Sequence, residues 1–495
     1  MSLTVSVSEL VNQSDNALLA VHSSWERVKL EDVAKVLNGY AFESKFFNKQ
    51  GGLPLIRIRD VGKSTTDCCY TGPYDSDYLV NEGDLIVGMD GDFKSSRWAG
   101  RPALLNQRVC KIEPTAGLYN ERFLEFALPG YLDEINKWTS SQTVKHLSSK
   151  DIKEIPLPLP PLPEQHCIVA AVEALFARLD AANARLERVP GILKQFRQAV
   201  LAAACDGRLT EDWRQTNVVF ECEADYLAAS RAVLNNEELS PAFSHTVQKD
   251  LPSMWKHVTF GSLGDWKSGA TPSKSNPNFW ISGQIPWVSP KDMKTEAITD
   301  SIDHITTEAV EKTNLHILPK DSLIFVVRGM ILARDFPVAL TEHEVTINQD
   351  MRALIPSGCV YPRYLLQALQ NQAHHILRAV RSSTHGTKRL ESPTLKTWPI
   401  ALPPLPEQNE IVRRVDALFA LADKIEAEVA AAHAKTETMR QSILAQAFSG
   451  RLVPTEAELA QREGREYEPA SVLLERIHSE KKEKTGRRGI QSTLV

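Results

Sequence analysis

From Ile168 onward the apolar residues keep a four–three rhythm: Ile168, Val172, Leu175, Leu179, Ala182, Leu186, Val189, Leu193, Phe196 and Val200. A repeat of about 3.5 residues sustained over this length is a heptad seam and predicts a long coiled-coil helix. The rhythm returns at Ile411, Val415, Leu418, Ala422, Ile425, Val429, Ala432, Met439 and Ile443, with Thr436 as its weak position. Both stretches are punctuated as helices. Pro163 and Pro406 suit a first helical position, where the missing N–H costs nothing. Glu164 and Glu407 place negative charge in the first turn, against the positive end of the dipole. Gly207 and Gly450 are placed to close the helices in a left-handed cap. Each helix should run for about 40 residues, or roughly 60 Å. Pro190-Gly191 interrupts the first helix and has no counterpart in the second, where His433-Ala434 stands. It either kinks that helix or ends it and starts another.

The two helices belong to an internal repeat. Leu159-Pro160-Pro161-Leu162-Pro163-Glu164-Gln165 recurs as Leu402-Pro403-Pro404-Leu405-Pro406-Glu407-Gln408, at an offset of 243. The match runs on without a gap through Asp180 with Asp423 and Arg197 with Arg440, to Gly207-Arg208-Leu209 with Gly450-Arg451-Leu452. The regions before each copy match more faintly. Trp25 pairs with Trp255, Gly39 with Gly269, Asp84-Leu85-Ile86 with Ser322-Leu323-Ile324, and Asn106-Gln107 with Asn348-Gln349. Each half therefore reads as a variable domain followed by a better-matched helix. Similar frames with different interiors suit two related readers of different targets. Two matched seams of one length can pair with each other, and an antiparallel pair would hold the domains at a fixed separation.

Composition adds limits. With 495 residues, 42% hydrophobic and 24% charged, the chain is globular and long enough for several cores. No apolar run approaches the roughly 18 residues of a membrane span, and Met1 to Leu10 lacks the pattern of a signal peptide. Seven scattered cysteines suit a reducing, cytoplasmic setting. The net charge of −5 counts mildly against nucleic-acid binding, although DNA responds to a local patch, not to the total.

Catalytic motifs are missing. Gly62-Lys63-Ser64 ends like a P-loop, but the earlier glycine it needs would be Arg57. The Leu-Pro-Pro-Leu segments lack the flanking residues of an adenine methyltransferase site. No metal-type His or Cys spacing occurs, and His374-His375 reads as a solvated pair whose rings face different ways.

The repeated Leu-Pro-Pro-Leu-Pro-Glu-Gln starts carry a family resemblance. So do Phe196-Arg197-Gln198-Ala199-Val200-Leu201, Gly207-Arg208-Leu209-Thr210-Glu211-Asp212-Trp213-Arg214, Gln441-Ser442-Ile443-Leu444-Ala445 and Leu473-Leu474-Glu475-Arg476-Ile477. In these the chain resembles the specificity subunit of type I restriction-modification systems, over nearly its whole length. The resemblance implies an α+β fold: two related α/β target recognition domains separated by two long antiparallel coiled-coil helices, a pseudo-two-fold internal repeat. It implies a non-catalytic protein that reads a bipartite site in double-stranded DNA, one half per domain. The helices would set the spacing and dock two methyltransferase subunits and restriction/translocase subunits, with Pro163, Glu164, Gln165, Pro406, Glu407 and Gln408 as helix and partner docking residues. This chain would bind no cofactor or metal itself; S-adenosylmethionine, ATP and Mg²⁺ belong to the partners. Two other readings are a DNA methyltransferase with built-in recognition and a coiled-coil scaffold that binds no DNA. The unmatched lead, the Pro190-Gly191 break and the basic tail (Lys481-Lys482-Glu483-Lys484, Arg487-Arg488) depart from a minimal member.

The expected organisation is a lead at 1–24, target domains at 25–158 and 252–401, helical spacers at 159–214 and 402–452, a linker at 215–251 and a tail at 453–495. DNA-contact candidates in the first domain are Arg57 and Arg59, read as sharing one face of a strand; Lys94, Arg97 and Arg101, in a loop; and Lys145. In the second they are Lys267, Lys274 and Lys291, flanking Trp266, Trp280 and Trp287, then Arg328, Arg334, Lys388 and Arg389. Lys145-His146-Leu147 and Lys388-Arg389-Leu390 match at the 243 offset. Arg can pair bidentately with guanine, whereas Lys mostly grips phosphate.

Overall fold

A computed structural model describes residues 6–139, 145–217, 251–382 and 386–491, with side chains up to residue 481. Five helices organise it: α1 (Glu121–Trp138), α2 (Leu162–Leu186), α3 (Val189–Cys205), α4 (Pro362–Arg378) and α5 (Leu405–Phe448). Pro190 falls in the first turn of α3, so the first repeated helix is split, with Glu187 and Arg188 still in the right-handed helical region. The second is uninterrupted over 44 residues. The chain folds as two compact units, residues 1–187 with 431–495, and residues 188–430. The unit boundary thus falls inside the long helices. Each unit holds one target domain, the start of the helix that follows it, and the end of the other helix.

In the first unit, Glu26–Lys29 pairs antiparallel with Pro156–Leu159 and so joins the two ends of the domain. The main sheet has the order Ala34–Asn38, Val109–Pro114, Leu85–Gly88, Ser95–Arg97. Its core packs α1 through Phe123, Leu124 and Leu128 against Val28, Leu85 and Ile112, and takes in Ile168 and Val172 of α2 and Phe448 of α5. The lead belongs to this core: the helix Val7–Gln13 buries Val7, Leu10 and Val11. Leu473 and Ile477 of the tail helix Ala470–Gln491 also enter it. The tail's Lys481 is ion-paired with Glu31 and Asp32.

The second unit repeats the plan. Lys256–Thr259 pairs with Pro399–Leu402, and Gly264–Ser268, Met351–Pro356, Leu323–Val326 and Val338–Thr341 follow in the main sheet, with Ala297–Ile298 added at the edge. Tyr364, Leu365 and Leu369 of α4 pack in one core with Val200 of α3 and Ile411 and Val415 of α5. The linker residues 218–250 lie outside the described residues.

Helix pairing is antiparallel in both units. In the first, Thr436 Oγ1 is hydrogen-bonded to Asn183 Oδ1 at 2.9 Å, and Arg440 is ion-paired with Asp180. In the second, Arg197 is paired with Asp423 at 2.6 Å and with Glu426 at 2.9 Å. Asp180 and Arg197 are the repeat counterparts of Asp423 and Arg440, so one Asp–Arg contact is made twice with the helices exchanging roles. The weak seam position Thr436 is buried, with its hydroxyl within hydrogen-bond distance of His433 O in its own helix at 2.7 Å and of Asn183 Oδ1 across the pair. Met439 is exposed and leaves the seam.

The helix starts are locked by buried carboxylates. Glu164 accepts a hydrogen bond from Trp25 Nε1 at 3.0 Å and another from the backbone N–H of Glu456 at 3.0 Å. Glu407 accepts from Trp255 Nε1 at 2.8 Å, from Thr210 Oγ1 at 2.7 Å, and from Arg214. The neighbouring glutamines do similar work. Gln165 Oε1 accepts from Asn120 N at 2.7 Å, and Gln408 Oε1 accepts from Tyr361 N at 2.7 Å. These four side chains face inward, so they join each domain to its helix and present no surface to a partner. Pro163 and Pro406 are exposed. The left-handed glycines close the same junctions. A Cβ on Gly450 would stand 2.7 Å from His22 Cβ, and one on Gly207 would stand 2.5 Å from Pro252 Cγ.

A glutamine in place of either glutamate offers one acceptor and turns an NH₂ group toward donors. Glu164→Gln should lower unfolding stability by roughly 1–3 kcal/mol. Glu407→Gln also strips the partly buried Arg214 of its counter-charge and should cost about 3 kcal/mol or more. Urea unfolding of the purified variants, followed by tryptophan fluorescence, checks the order; equal stability of both variants and the parent would refute the clamp.

Candidate nucleic-acid interface

The basic side chains singled out in the sequence separate into two groups. One group is tied down by the fold. Strand Leu53–Ile56 ends before Arg57, and Ile58–Asp60 is a single 3₁₀ turn, so Arg57 and Arg59 do not share a strand face. Arg57 is drawn onto Asp60 at 3.4 Å and onto Asp67, while Arg59 is exposed. Arg97 lies on a strand, not in a loop. It binds Glu121 at 2.6 Å, Glu125, and the Gly83 carbonyl at 2.8 Å, which pins the sheet edge to α1. Lys145 donates to Asn136 O at 2.6 Å and to Asn136 Oδ1 at 2.9 Å. Lys267 is paired with Asp265 at 2.9 Å, and Lys388 donates to Ser382 Oγ at 2.8 Å. The tryptophans are structural: Trp266 packs on Phe260 and Phe325, and Trp280 on Trp287.

The other group is exposed: Arg59, Lys94 and Arg101 in the first domain, and Lys274, Lys291, Arg328, Arg334 and Arg389 in the second, of which Lys94, Arg328 and Arg389 also touch Asp92, Asp350 and Glu391. The second domain gathers several of its arginines at one place. Arg328 and Arg389 face each other in an isolated antiparallel bridge, and Arg381 lies opposite Arg389 in the short hairpin Arg381–Ser382 with Lys388–Arg389. Arg352 stands beside them. Burial, then the positive charges of Arg328 and Arg389, push its guanidinium below its usual value. Asp350 and Glu391 offset part of this charge, and the cluster as a whole remains basic. Arg352 and Arg381 were not singled out in the sequence. Arg352 could have been found from its place four residues after Asn348, a landmark of the repeat.

The equivalent edge of the first domain has the same backbone wiring. Leu147 N donates to Met89 O at 2.7 Å, as Leu390 N donates to Val327 O at 2.9 Å. Gly91 N donates to Lys145 O at 3.0 Å, as Gly329 N donates to Lys388 O at 3.0 Å. Met89 N donates to Arg108 O at 2.9 Å, as Val327 N donates to Asp350 O at 2.9 Å. The bridge Asp90↔His146 takes the place of Arg328↔Arg389. Thus the frame is shared while the exposed side chains differ.

No group of three or more His, Cys, Asp or Glu side chains that could hold a metal occurs among the described residues. None of the described helices is long and apolar enough to cross a membrane. His374 and His375 do not diverge: their ring centroids are 3.6 Å apart, and burial lowers the pKa of His375.

The comparisons with known proteins agree with one another. The family model for the type I restriction modification DNA specificity domain matches twice, over residues 22–190 and 252–431. The specificity subunit of the type I restriction enzyme EcoBI of Escherichia coli is 36% identical over 507 aligned residues, covering 99% of each chain. That of EcoKI, from E. coli strain K12, is 26% identical and covers 94% of this chain and 97% of its own. A solved structure of the type I R-M system, described in terms of its assembly and conformational transition, superposes with a TM-score of 0.59 at 18% identity, over 87% of this chain and 99% of the other. The HsdS subunit of Thermoanaerobacter tengcongensis does so with a TM-score of 0.50 at 18% identity, over 87% and 98%. At such identity the two structures speak for the fold, while the doubled family match and the full-length relative decide membership: this chain belongs to the DNA specificity subunits of type I restriction-modification enzymes.

Proposed function

We propose that each target domain reads one half of a split site in double-stranded DNA, that the length of paired helix between the domains fixes the spacer, and that partner subunits supply all the chemistry. The supporting observation is the wired edge common to both domains, where matched backbone hydrogen bonds carry different side chains: Asp90 and His146 in one, Arg328 and Arg389 in the other. A shared frame can dock on the duplex in the same way twice, and the differing side chains then read different bases. The exposed lysines, Lys94, Lys274 and Lys291, are suited to phosphate, which positions a protein on DNA without specifying sequence. The partners in this reading are two modification subunits, which bind S-adenosylmethionine and methylate adenine, and restriction subunits, which use ATP and Mg²⁺. This chain binds none of these cofactors, and the complex works in the cytoplasm.

The purified chain alone, given S-adenosylmethionine, ATP, Mg²⁺ and DNA, should leave the DNA unchanged. Together with its modification subunits it should methylate a two-part motif with a fixed unspecified gap, read by methylation-sensitive sequencing. Methyl transfer by the chain alone would revive the methyltransferase reading, and a complex that methylates no split motif would end this one.

The spacer should follow the helices. Inserting four residues into the helix pair, after Glu187 and again after Ala430, adds one helical turn or roughly 6 Å to both members. That corresponds to about two base pairs at roughly 34 Å per turn of B-DNA. The sequenced motif should gain one or two base pairs in its gap, with both half-sites unchanged and some loss of yield from the roughly 40° of extra rotation. A motif with the original gap would show that the helices do not set the distance.

A further inference from the structure

The wired edge has a feature that stability does not require. Position by position, Asp90 corresponds to Arg328 and Arg108 to Asp350, so the two domains carry the same ion pair with its polarity reversed. In the first domain Arg108 Nε is 3.4 Å from Asp90 Oδ2. In the second Arg328 Nη1 is 3.8 Å from Asp350 Oδ1. The third position holds His146, whose Nδ1 is 2.6 Å from Asp90 Oδ1, or Arg389, whose Nε is 3.2 Å from Glu391 Oε1. Contacts of this kind at a surface are worth about 1 kcal/mol or less, too little to explain a shared ion-pair site by stability. Meanwhile the residues beneath stay apolar in both domains: Met89 and Leu147 in the first, Val327 and Leu390 in the second.

Exposure sorts the side chains. The carboxylates are sunken, Asp90 at 20% and Asp350 at 29%, while Arg108 at 53%, His146 at 44%, Arg328 at 47% and Arg389 at 52% stand out. Each domain therefore raises two nitrogen-bearing side chains from one place, with a carboxylate orienting at least one of them; in the first domain the carboxylate accepts from His146 Nδ1, which leaves Nε2 of the neutral ring facing outward as an acceptor. We infer that these side chains are the base-reading pair of each half-site: Arg108 with His146 in the first domain, and Arg328 with Arg389 in the second. This rests on the reading of one half-site per domain. The guanidinium fork matches guanine O6 and N7 in the major groove, so each half-site contains a guanine read here. The second domain, with two forks and Arg352 behind them, takes the more guanine-rich half. Asp90 and Asp350 are positioning residues. Lys145 and Lys388, bound to Asn136 and Ser382, hold the edge and do not read it.

The test uses the full chain assembled with its modification subunits, on DNA randomised at the mapped motif. Arg389→Ala should lower discrimination at one guanine of one half-site by roughly 5- to 150-fold and leave the other half unchanged. Arg108→Ala should do the same in the opposite half. The double variant Asp90→Arg with Arg108→Asp should change the first domain's half-site alone. Thermal melting separates folding loss from readout, and Arg389→Ala, which removes only exposed contacts, keeps the test decisive if the double variant does not fold. Uniform weakening on every sequence, with each motif letter retained, would assign these side chains to phosphate and overturn the inference. An unmutated complex that methylates no split motif would instead overturn the half-site reading beneath it, a result distinguishable before any variant is made.

Discussion

Each target domain is tied to its helix by a carboxylate buried in the first turn of that helix. Placing Glu164 and Glu407 inside costs several kcal/mol of lost hydration each unless donors replace the water. Burial does lift the Glu164 carboxyl above the usual carboxylate range, against the pull of its hydrogen bonds. The compensating donors come to the helix start from two other stretches of chain: the tryptophan at the entry to the target domain, and the segment that follows the end of the partner helix. Satisfying one carboxylate therefore fixes three stretches of chain together. The two junctions solve the same problem with different residues. A backbone N–H beside Thr455 serves Glu164, whereas Thr210 and Arg214 serve Glu407. Such divergence around a fixed acid is what a physical requirement produces, since the need is for donors at a place and not for particular side chains.

The helix pairs show the same economy. Because Asp180 and Arg197 recur as Asp423 and Arg440, an antiparallel pairing makes each contact twice from one sequence pattern. A parallel pairing would oppose Asp to Asp and Arg to Arg. The duplicated helix thus carries its own instruction for direction. The polar Asn183–Thr436 contact adds a second link across the pair, although the Thr436 hydroxyl also reaches His433 O of its own helix at 2.7 Å.

Heptads, prolines, glycines and the offset of 243 made the helices, their ends and the doubled plan legible from sequence, because helix signals are local and the duplication repeats them. The unit boundary was not legible. It depends on which helix half packs against which domain, and the seam residues are alike on both sides of it. The split at Glu187–Arg188 was left open because Pro190 is equally compatible with a kink inside a helix and with a first-turn proline. The basic side chains were read least well. Arg97 and Lys145 look like free cations in a sequence, but each has a distant partner, the glutamates of α1 or Asn136, that only the fold brings near. Glu164 and Gln165 were placed at the right position on the helix and on the wrong face, because a charged first turn suggests solvent until a tryptophan is found against it.

The net charge of −5 now has a physical setting. Acidic residues are consumed in pinning: Glu121 and Glu125 on Arg97, Asp212 and Glu410 on Arg414, Asp423 and Glu426 on Arg197. Arg413 and Arg414 draw the Glu410 carboxyl down to about 2, so it stays ionised and keeps its partners through any physiological pH. Exposed cations remain at several places, and in the second domain the arginines around Arg328 and Arg389 gather at one edge. Screening over about 8–10 Å keeps the field of such a cluster local to its edge. Because the shared hydrogen bonds of that edge are made by the backbone, its raised side chains can differ between the two domains without disturbing the clamps that hold each domain on its helix.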